Sequence, residues 1–149
     1  MIENERKFLC WFLPTGAIHL EDQLQFYIYT SKKSEVRVRI ISKESNKRAE
    51  ITYKIDITNR KRFEITREIP LFIAKLFKNI VKKKIKKRRY LYHNDGYIWE
   101  IDKYIGNKSL IIAELENQDS RNLQIPNFIK YEVSNNKRYR NRNISKLIN

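Results

Sequence analysis

Apolar and polar residues alternate along most of this chain, and this period of two most restricts its fold. Residues 36–40, for example, read Val-Arg-Val-Arg-Ile. The same pattern recurs over residues 51–56, 63–69, 98–102 and 113–116. The aromatic run Gln23–Thr30 is also typical of a strand, and Asp95-Gly96 marks the tip of a predicted hairpin. The pattern predicts several consecutive antiparallel strands.

One segment instead has helical spacing. Pro70 precedes a predicted helix over Leu71–Lys87, in which apolar residues recur every three or four positions and lysines fill the other face. A second, shorter helix is predicted over residues 141–147. Strands with accessory helices favour an α+β, mainly β, fold class: an antiparallel β-barrel formed by one domain over residues 1–149.

Charges of one sign occur in pairs two residues apart on separate predicted strands. The acidic pairs are Glu3 with Glu5, Glu100 with Asp102, and Glu114 with Glu116; the basic pairs are Arg37 with Arg39 and Lys87 with Arg89. Period two places both members of a pair on one face of the strand, where like charges repel. Inside a barrel, converging carboxylates would hold Mg²⁺ or Mn²⁺, and the cations would bind several phosphates. Solvated strand faces are the alternative explanation.

Composition narrows the partners and the compartment. The formal net charge of +15 implies an anionic partner, whether nucleic acid, a membrane surface or a phosphate-rich small molecule, and charge alone does not choose among them. Cys10 is the single cysteine, which excludes an intrachain disulfide and favours a reducing compartment. The N-terminus is charged, so no signal peptide is expected, and no apolar run approaches a membrane span. We therefore expect a cytoplasmic protein with no membrane partner, as a monomer or homodimer.

Short motifs along nearly the whole chain resemble those of the CYTH, or triphosphate tunnel metalloenzyme, superfamily. Glu3-Asn4-Glu5-Arg6-Lys7 resembles the ExExK signature of that family. Further segments resemble its motifs in the same order: Gln25–Ile28 (QGYL), Val36–Arg39 (VRxR), Thr52–Lys54 (LTxK), Arg62–Thr66 (RxExE), Lys87–Tyr90 (KxRY), Trp99–Asp102 (WExD), Ala113–Glu116 (VEVE) and Tyr131–Asn141 (EVT…KRYxN).

The resemblance implies an eight-stranded antiparallel tunnel and a role for each matching residue. Implied metal ligands are Glu3, Glu5, Glu114 and Glu116, with Glu100 and Asp102 at a second metal position. Implied triphosphate-binding residues are Arg37, Arg39, Lys54, Lys87 and Arg89, with Lys7 near the phosphate chain and Arg138 closing one mouth with the C-terminal segment. Lys87 or Lys54 would assist water activation if its pKa were depressed.

Three positions depart from the family motifs. Phe26 replaces the glycine of QGYL, which implies either a narrowed tunnel or a different strand register. Thr66 replaces the second glutamate of RxExE, so Glu64 is not expected to form an acidic pair, and Ser134 replaces a threonine.

The implied activity is metal-dependent hydrolysis of a small triphosphate, with inorganic triphosphate favoured. One alternative is a class IV-type adenylate cyclase, which would need an adenine pocket; thiamine or nucleoside triphosphatase activity is another. The basic run Lys82–Arg89 leaves an RNA-binding module as a less favoured alternative, because carboxylate pairs repel phosphate unless a metal intervenes.

Overall fold

The computed structural model describes residues 1–149, and its strands form one antiparallel sheet that closes on itself. The barrel strands are β1 (Ile2–Cys10), β2 (Ile18–Thr30), β3 (Ser34–Lys43), β4 (Asn46–Asp56), β5 (Lys61–Ile69), β6 (Lys84–Asn94), β7 (Tyr97–Ile105) and β8 (Leu110–Glu116). Their order is β5-β4-β3-β2-β6-β7-β8-β1, and pairing of β1 with β5 completes the circle. The predicted eight-stranded antiparallel barrel is confirmed.

Strand β1 shares one of its edges between two partners. Residues 2–4 pair with β5, whereas residues 8–10 pair with an additional short strand, β9 (Ile129–Glu132). The other edge of β1 pairs with β8 along residues 5–9. The barrel is therefore closed by only three residue pairs at one end, and β9 covers the edge that β5 leaves.

The main apolar clusters lie on the outside of the barrel. Helix α1 (Leu71–Ile80) places Ala74 over Phe26, Val38 and Ile40 on the outer faces of β2 and β3. On the opposite wall, Phe128 packs on Trp99, whose ring also meets that of Phe8 edge to face. Because Phe26 belongs to this outer layer, it does not narrow the interior.

The C-terminal segment closes one end of the barrel. It consists of two 3₁₀ helices, Lys137–Tyr139 and Asn141–Asn143, and helix α2 (Ser145–Ile148). Ile144 and Ile148 are buried against Ile85, Tyr104 and Ile112, which are inward-facing positions of β6, β7 and β8. This apolar layer ends the polar interior.

The first predicted helix was too long. It ends at Ile80, and Lys84–Lys87 belong to β6, where Lys84 pairs with Phe26 of β2. The lysine-rich sequence around Val81 and Ile85 fits the period of a helix as well as that of a strand. Pairing with the neighbouring strands therefore decided which of the two forms. Strand β2 also begins earlier than predicted, at Ile18. Neither α-helix has the length and apolar character needed to cross a membrane.

Candidate active site

Three neighbouring strands present their carboxylates to the interior. Alternation along β1 turns Glu3 and Glu5 inward, and β7 and β8 contribute Glu100, Glu114 and Glu116. The strand register sets Glu5 directly opposite Glu116, and Glu100 directly opposite Glu114. Like charges in direct cross-strand pairs destabilise a sheet, so this acidic wall needs compensation from elsewhere.

The facing wall carries the cations. Arg37 and Arg39 project inward from β3, Lys54 from β4 and Arg89 from β6. Between β3 and β6, strand β2 contributes the uncharged side chains of Gln23 and Gln25, both buried. The barrel interior is thus divided into an acidic and a basic side.

The two walls enclose a cavity of about 70 Å³ without a single apolar lining residue. Six carboxylates and six cations line it, together with one amide. The lining residues are Glu3, Glu5, Lys7, Arg37, Arg39, Lys54, Arg62, Glu64, Arg89, Glu100, Glu114, Glu116 and Asn141. Ten of these thirteen were predicted from the sequence, and the other three, Arg62, Glu64 and Asn141, were not assigned.

Ion pairs between nearby strands hold the charged side chains that line the cavity. The Nζ atom of Lys54 lies 2.8 Å from Glu3 Oε2 and 2.8 Å from Glu64 Oε2. Lys7 Nζ lies 3.0 Å from Glu114 Oε1. In each pair an ammonium occupies space where a metal ion would meet the carboxylate. Binding of metal and phosphate would therefore exchange these pairs for new ones.

Lys87 and Asp102 lie outside the cavity lining. Lys87 Nζ donates to Asp102 Oδ2 at 2.5 Å, and Arg89 donates to both Asp102 oxygens at 2.8 Å. Both oxygens of Asp102 are thus occupied by cations, and its side chain is only 2% exposed. This geometry argues against the predicted role of Asp102 at a second metal position. Asp102 instead orients Arg89.

Burial and like-charged neighbours shift the pKa of one group on each wall toward its neutral form. Burial, with repulsion from Glu3, Glu100 and Glu114, raises the pKa of Glu116 to about 8. On the facing wall, burial and repulsion from Arg37 lower the pKa of Arg39 to about 10. Each shift disfavours the charged form, so the acidic wall favours a cation and the basic wall an anion.

Glu114 and Lys87 show how neighbouring charges modify the effect of burial on a pKa. Burial would raise the pKa of Glu114, but Lys7 and other cations lower it to about 2. Burial lowers the pKa of Lys87 to about 7, an effect that Asp102 opposes and Arg89 reinforces. Lys87 thus meets the depressed-pKa condition for water activation, although its ammonium is covered and bonded to Asp102.

The oxygen atoms of the cavity lining are of the kind that a hard divalent cation binds, but they are not already arranged around a metal position. No group of three acidic, histidine or cysteine side chains is arranged to hold a metal ion. However, Glu100 Oε2 and Glu114 Oε1 are buried carboxylate oxygens held only by ion pairs, with Arg89 Nη1 at 2.6 Å and Lys7 Nζ at 3.0 Å. Buried carboxylate oxygens are the ligands that Mg²⁺ and Mn²⁺ prefer. The acidic wall therefore fits such an ion once the lysine pairs open.

Unpartnered donors on the opposite wall fit an anion. The Nε atoms of Arg37 and Arg39 are buried without a hydrogen-bond partner. A buried unsatisfied donor is costly, and guanidinium groups match phosphate oxygens in geometry. The basic wall therefore fits a multiply charged phosphate.

The C-terminal segment reaches the cavity through Asn141 rather than Arg138. Tyr104 donates to the Asn141 side chain, and Arg140 binds Asp56 Oδ2 at 2.6 Å. Arg138 lies exposed in the 3₁₀ helix and does not line the cavity, so its predicted role at the mouth is not supported by its position. Arg62 and Glu64 lie two residues apart on β5. The resemblance of Arg62–Thr66 to a family motif was the sequence signal that could have identified them as cavity residues.

The raised pKa of Glu116 predicts a pH-dependent stability in metal-free protein. Between the unfolded pKa of 4.5 and the folded value of about 8, the folded state holds a proton that the unfolded state releases. The free energy of unfolding should therefore fall as pH rises through this window. Over the same rise in pH, the Glu116→Gln protein should lose less free energy of unfolding than wild type, as measured by urea unfolding in the presence of a chelator. Equal losses in both proteins would contradict this expectation, and exposed Glu68→Gln is the control.

A model of the CYTH domain matches residues 1–143 of the chain. A curated relative, the inorganic triphosphatase of Acetivibrio thermocellus, is 35% identical over 126 residues, which cover 82% of this chain and 78% of that protein. The crystal structure of the hypothetical protein NE1496 is 27% identical and superposes with a TM-score of 0.70, with 99% of each chain covered.

A more distant solved structure shares the fold alone. A putative adenylyl cyclase from Hippeastrum, HpAC1, described as having a dominant triphosphatase activity, is 12% identical with a TM-score of 0.54 over 81% of each chain. The family match and the curated relative both span most of the chain. The chain belongs to the CYTH domain family.

Proposed function

We propose that this protein is a divalent-metal-dependent triphosphatase that hydrolyses inorganic triphosphate inside its barrel. The observation that carries the proposal is the division of one wholly polar cavity inside the barrel into an acidic and a basic wall. A linear polyphosphate with a divalent cation complements both walls at once. The relative from Acetivibrio thermocellus, an inorganic triphosphatase, supports the same substrate.

The basic wall would bind and orient the substrate. Arg37 and Arg39 offer unpaired buried donors, and Arg89 is held in place by Asp102. Lys54 and Lys7 would leave Glu3 and Glu114 to contact phosphate oxygens. Phosphoryl transfer depends mainly on such positioning and on neutralisation of charge.

The acidic wall would hold Mg²⁺ or Mn²⁺ through Glu3, Glu5, Glu114 and Glu116, with Glu100 beside them. A bound divalent ion would polarise phosphoryl oxygens and lower the pKa of a coordinated water. In the overall reaction, water oxygen bonds to a terminal phosphorus, the bridging P–O bond breaks, and diphosphate leaves. Whether Lys87 or Lys54 takes the water proton stays a prediction. Since Cys10 is a free thiol, we expect this reaction in the reducing cytoplasm.

The polar lining favours hydrolysis over cyclisation as the reaction in this cavity. An adenine ring needs apolar or stacking contacts, and the cavity offers none. We therefore expect diphosphate and phosphate as products from inorganic triphosphate, and no cyclic AMP from ATP.

A substrate panel tests this function. Inorganic triphosphate, thiamine triphosphate and ATP should each be incubated with purified protein and either Mg²⁺ or Mn²⁺, and the products identified. Inorganic triphosphate should be hydrolysed fastest, and chelator should abolish phosphate release. Absence of release above a Glu116→Ala control would refute the proposal, and cyclic AMP formation would favour the cyclase.

A further inference from the structure

Helix α1 exposes a row of large apolar side chains that the barrel does not use. Phe72, Leu76 and Ile80 follow one another at four-residue spacing and are 65%, 57% and 76% exposed. The buried side of the helix is instead supplied by Ala74 and its neighbours. Residues four apart lie on one face of a helix, so the three side chains form a single apolar stripe. We call this row the α1 stripe.

Exposed cations flank the α1 stripe on the side facing β6. Lys75 and Lys78 line a groove of about 330 Å³. Lys86 and Arg88, on the outer face of β6, line the same groove. Lys47 lines the same groove, and Asp22 is its one acidic side chain. Three further lysines are exposed: Lys82 and Lys83 join the helix to β6, and Lys84 is the first residue of that strand. These eight cations form a basic cluster beside the α1 stripe.

The strand register makes the basic cluster unfavourable in isolation. Lys84, Lys86 and Arg88 share the outer face of β6; Arg88 lies directly opposite Lys103 of β7, and its one acidic partner is Asp22 of β2, 3.7 Å away. Cross-strand and same-face like charges destabilise a sheet. An anionic partner on this surface would relieve the repulsion.

Two common classes of partner would satisfy only one feature of this surface, whereas an anionic bilayer would satisfy both. A second copy of the chain would bury the stripes but bring two lysine clusters together, in a protein of net charge +15. A nucleic acid would neutralise the lysines but leave Phe72, Leu76 and Ile80 in water. An anionic bilayer surface accepts apolar side chains below its headgroups and cations among them.

We propose that helix α1 and the adjacent basic cluster form a peripheral docking site for an anionic lipid surface. The α1 stripe enters the interfacial region of the bilayer, and Lys75, Lys78 and the lysines of β6 contact the headgroups. The protein would lie on the membrane without crossing it, in contrast to the absence of a membrane partner expected from the sequence. The proposal does not depend on the reaction in the barrel, because none of these side chains lines the cavity.

Vesicle sedimentation with the full chain tests the proposal. Wild-type protein should bind vesicles of equimolar phosphatidylglycerol and phosphatidylcholine, and bind phosphatidylcholine vesicles much less. Lys75→Gln/Lys78→Gln should weaken binding by about 25-fold, from about fivefold for each cation. Phe72→Ser/Leu76→Ser/Ile80→Ser should weaken it by at least about tenfold. High salt should release the protein.

Matched controls lie on the opposite wall of the barrel. Ile98→Ser on β7 and Lys130→Gln on β9 remove one exposed apolar group and one exposed cation, and should leave vesicle binding unchanged. Triphosphate hydrolysis in vesicle-free solution should stay unchanged in every variant, which also shows that each variant is folded.

Three results would overturn the proposal. One is equal binding of wild type and α1-stripe variant to anionic vesicles. Another is RNA binding that depends on the lysines but not on the stripe, without vesicle binding. The third is a wild-type dimer, seen by analytical ultracentrifugation, that the stripe variant dissociates.

Discussion

Glu116→Gln should lower the rate of triphosphate hydrolysis by about a hundredfold or more at saturating Mg²⁺. Glu116 faces Glu5 across the strand pair, forms no ion pair, and has its pKa raised to about 8. Its carboxylate is therefore the member of the acidic wall with the least compensation from the protein. A neutral amide of the same shape keeps the packing but removes the charge that a divalent ion would neutralise.

The measurement is steady-state hydrolysis combined with a metal titration. Loss of the ligand should raise the metal concentration for half-maximal rate as well as lower the maximum. Glu68→Gln is the matched control, because Glu68 shares a face of β5 with Glu64 and Thr66 but lies exposed outside the cavity lining. Activity of the Glu116→Gln protein within about twofold of wild type would remove Glu116 from the metal site.

Asp102→Asn should destabilise the protein by about 3–5 kcal/mol. The change leaves the fully buried ammonium of Lys87 without its ion-pair partner, whereas Arg89 keeps a pair with Glu100 at 2.6 Å. Such an uncompensated buried charge is among the most unfavourable results of a single substitution. Arg89 should also lose its fixed orientation, so hydrolysis should fall in protein that remains folded.

Urea unfolding gives the stability change, and two further variants interpret it. The double variant Asp102→Leu/Lys87→Met should recover part of the lost stability, because it removes the unpaired ammonium along with the carboxylate. Asp119→Asn breaks an exposed pair with Arg121 and should leave stability unchanged. A loss below about 1 kcal/mol in Asp102→Asn would mean that the buried cations do not depend on this carboxylate.

The two walls of the cavity follow directly from sequence periodicity. Glu114 and Glu116 point the same way because successive side chains of a strand alternate between faces, and the same holds for Arg37 and Arg39. Residue types and spacing therefore predicted most of the cavity lining before any contact was known.

The boundaries of the helices and strands, and the partners of individual side chains, were harder to predict from the sequence. Val81 and Ile85 suit a helix as well as a strand, and pairing of β6 with β2 and β7 decided where α1 ends. Asp102 resembled Glu100 in sequence, but the inward side chains of β6 take both of its oxygens. Asn141 reaches the interior only because Ile144 and Ile148 anchor the C-terminal segment inside one end of the barrel.

The sequence by itself determined the strand pattern, the face on which each charge lies and the family of the chain, because these depend on local periodicity and ordered motifs. Only the tertiary structure decided which charges compensate one another, where the barrel ends and which apolar side chains stay exposed on α1. Those outcomes depend on strand register and on distances between residues far apart in the chain. Local sequence carries no direct record of such distances.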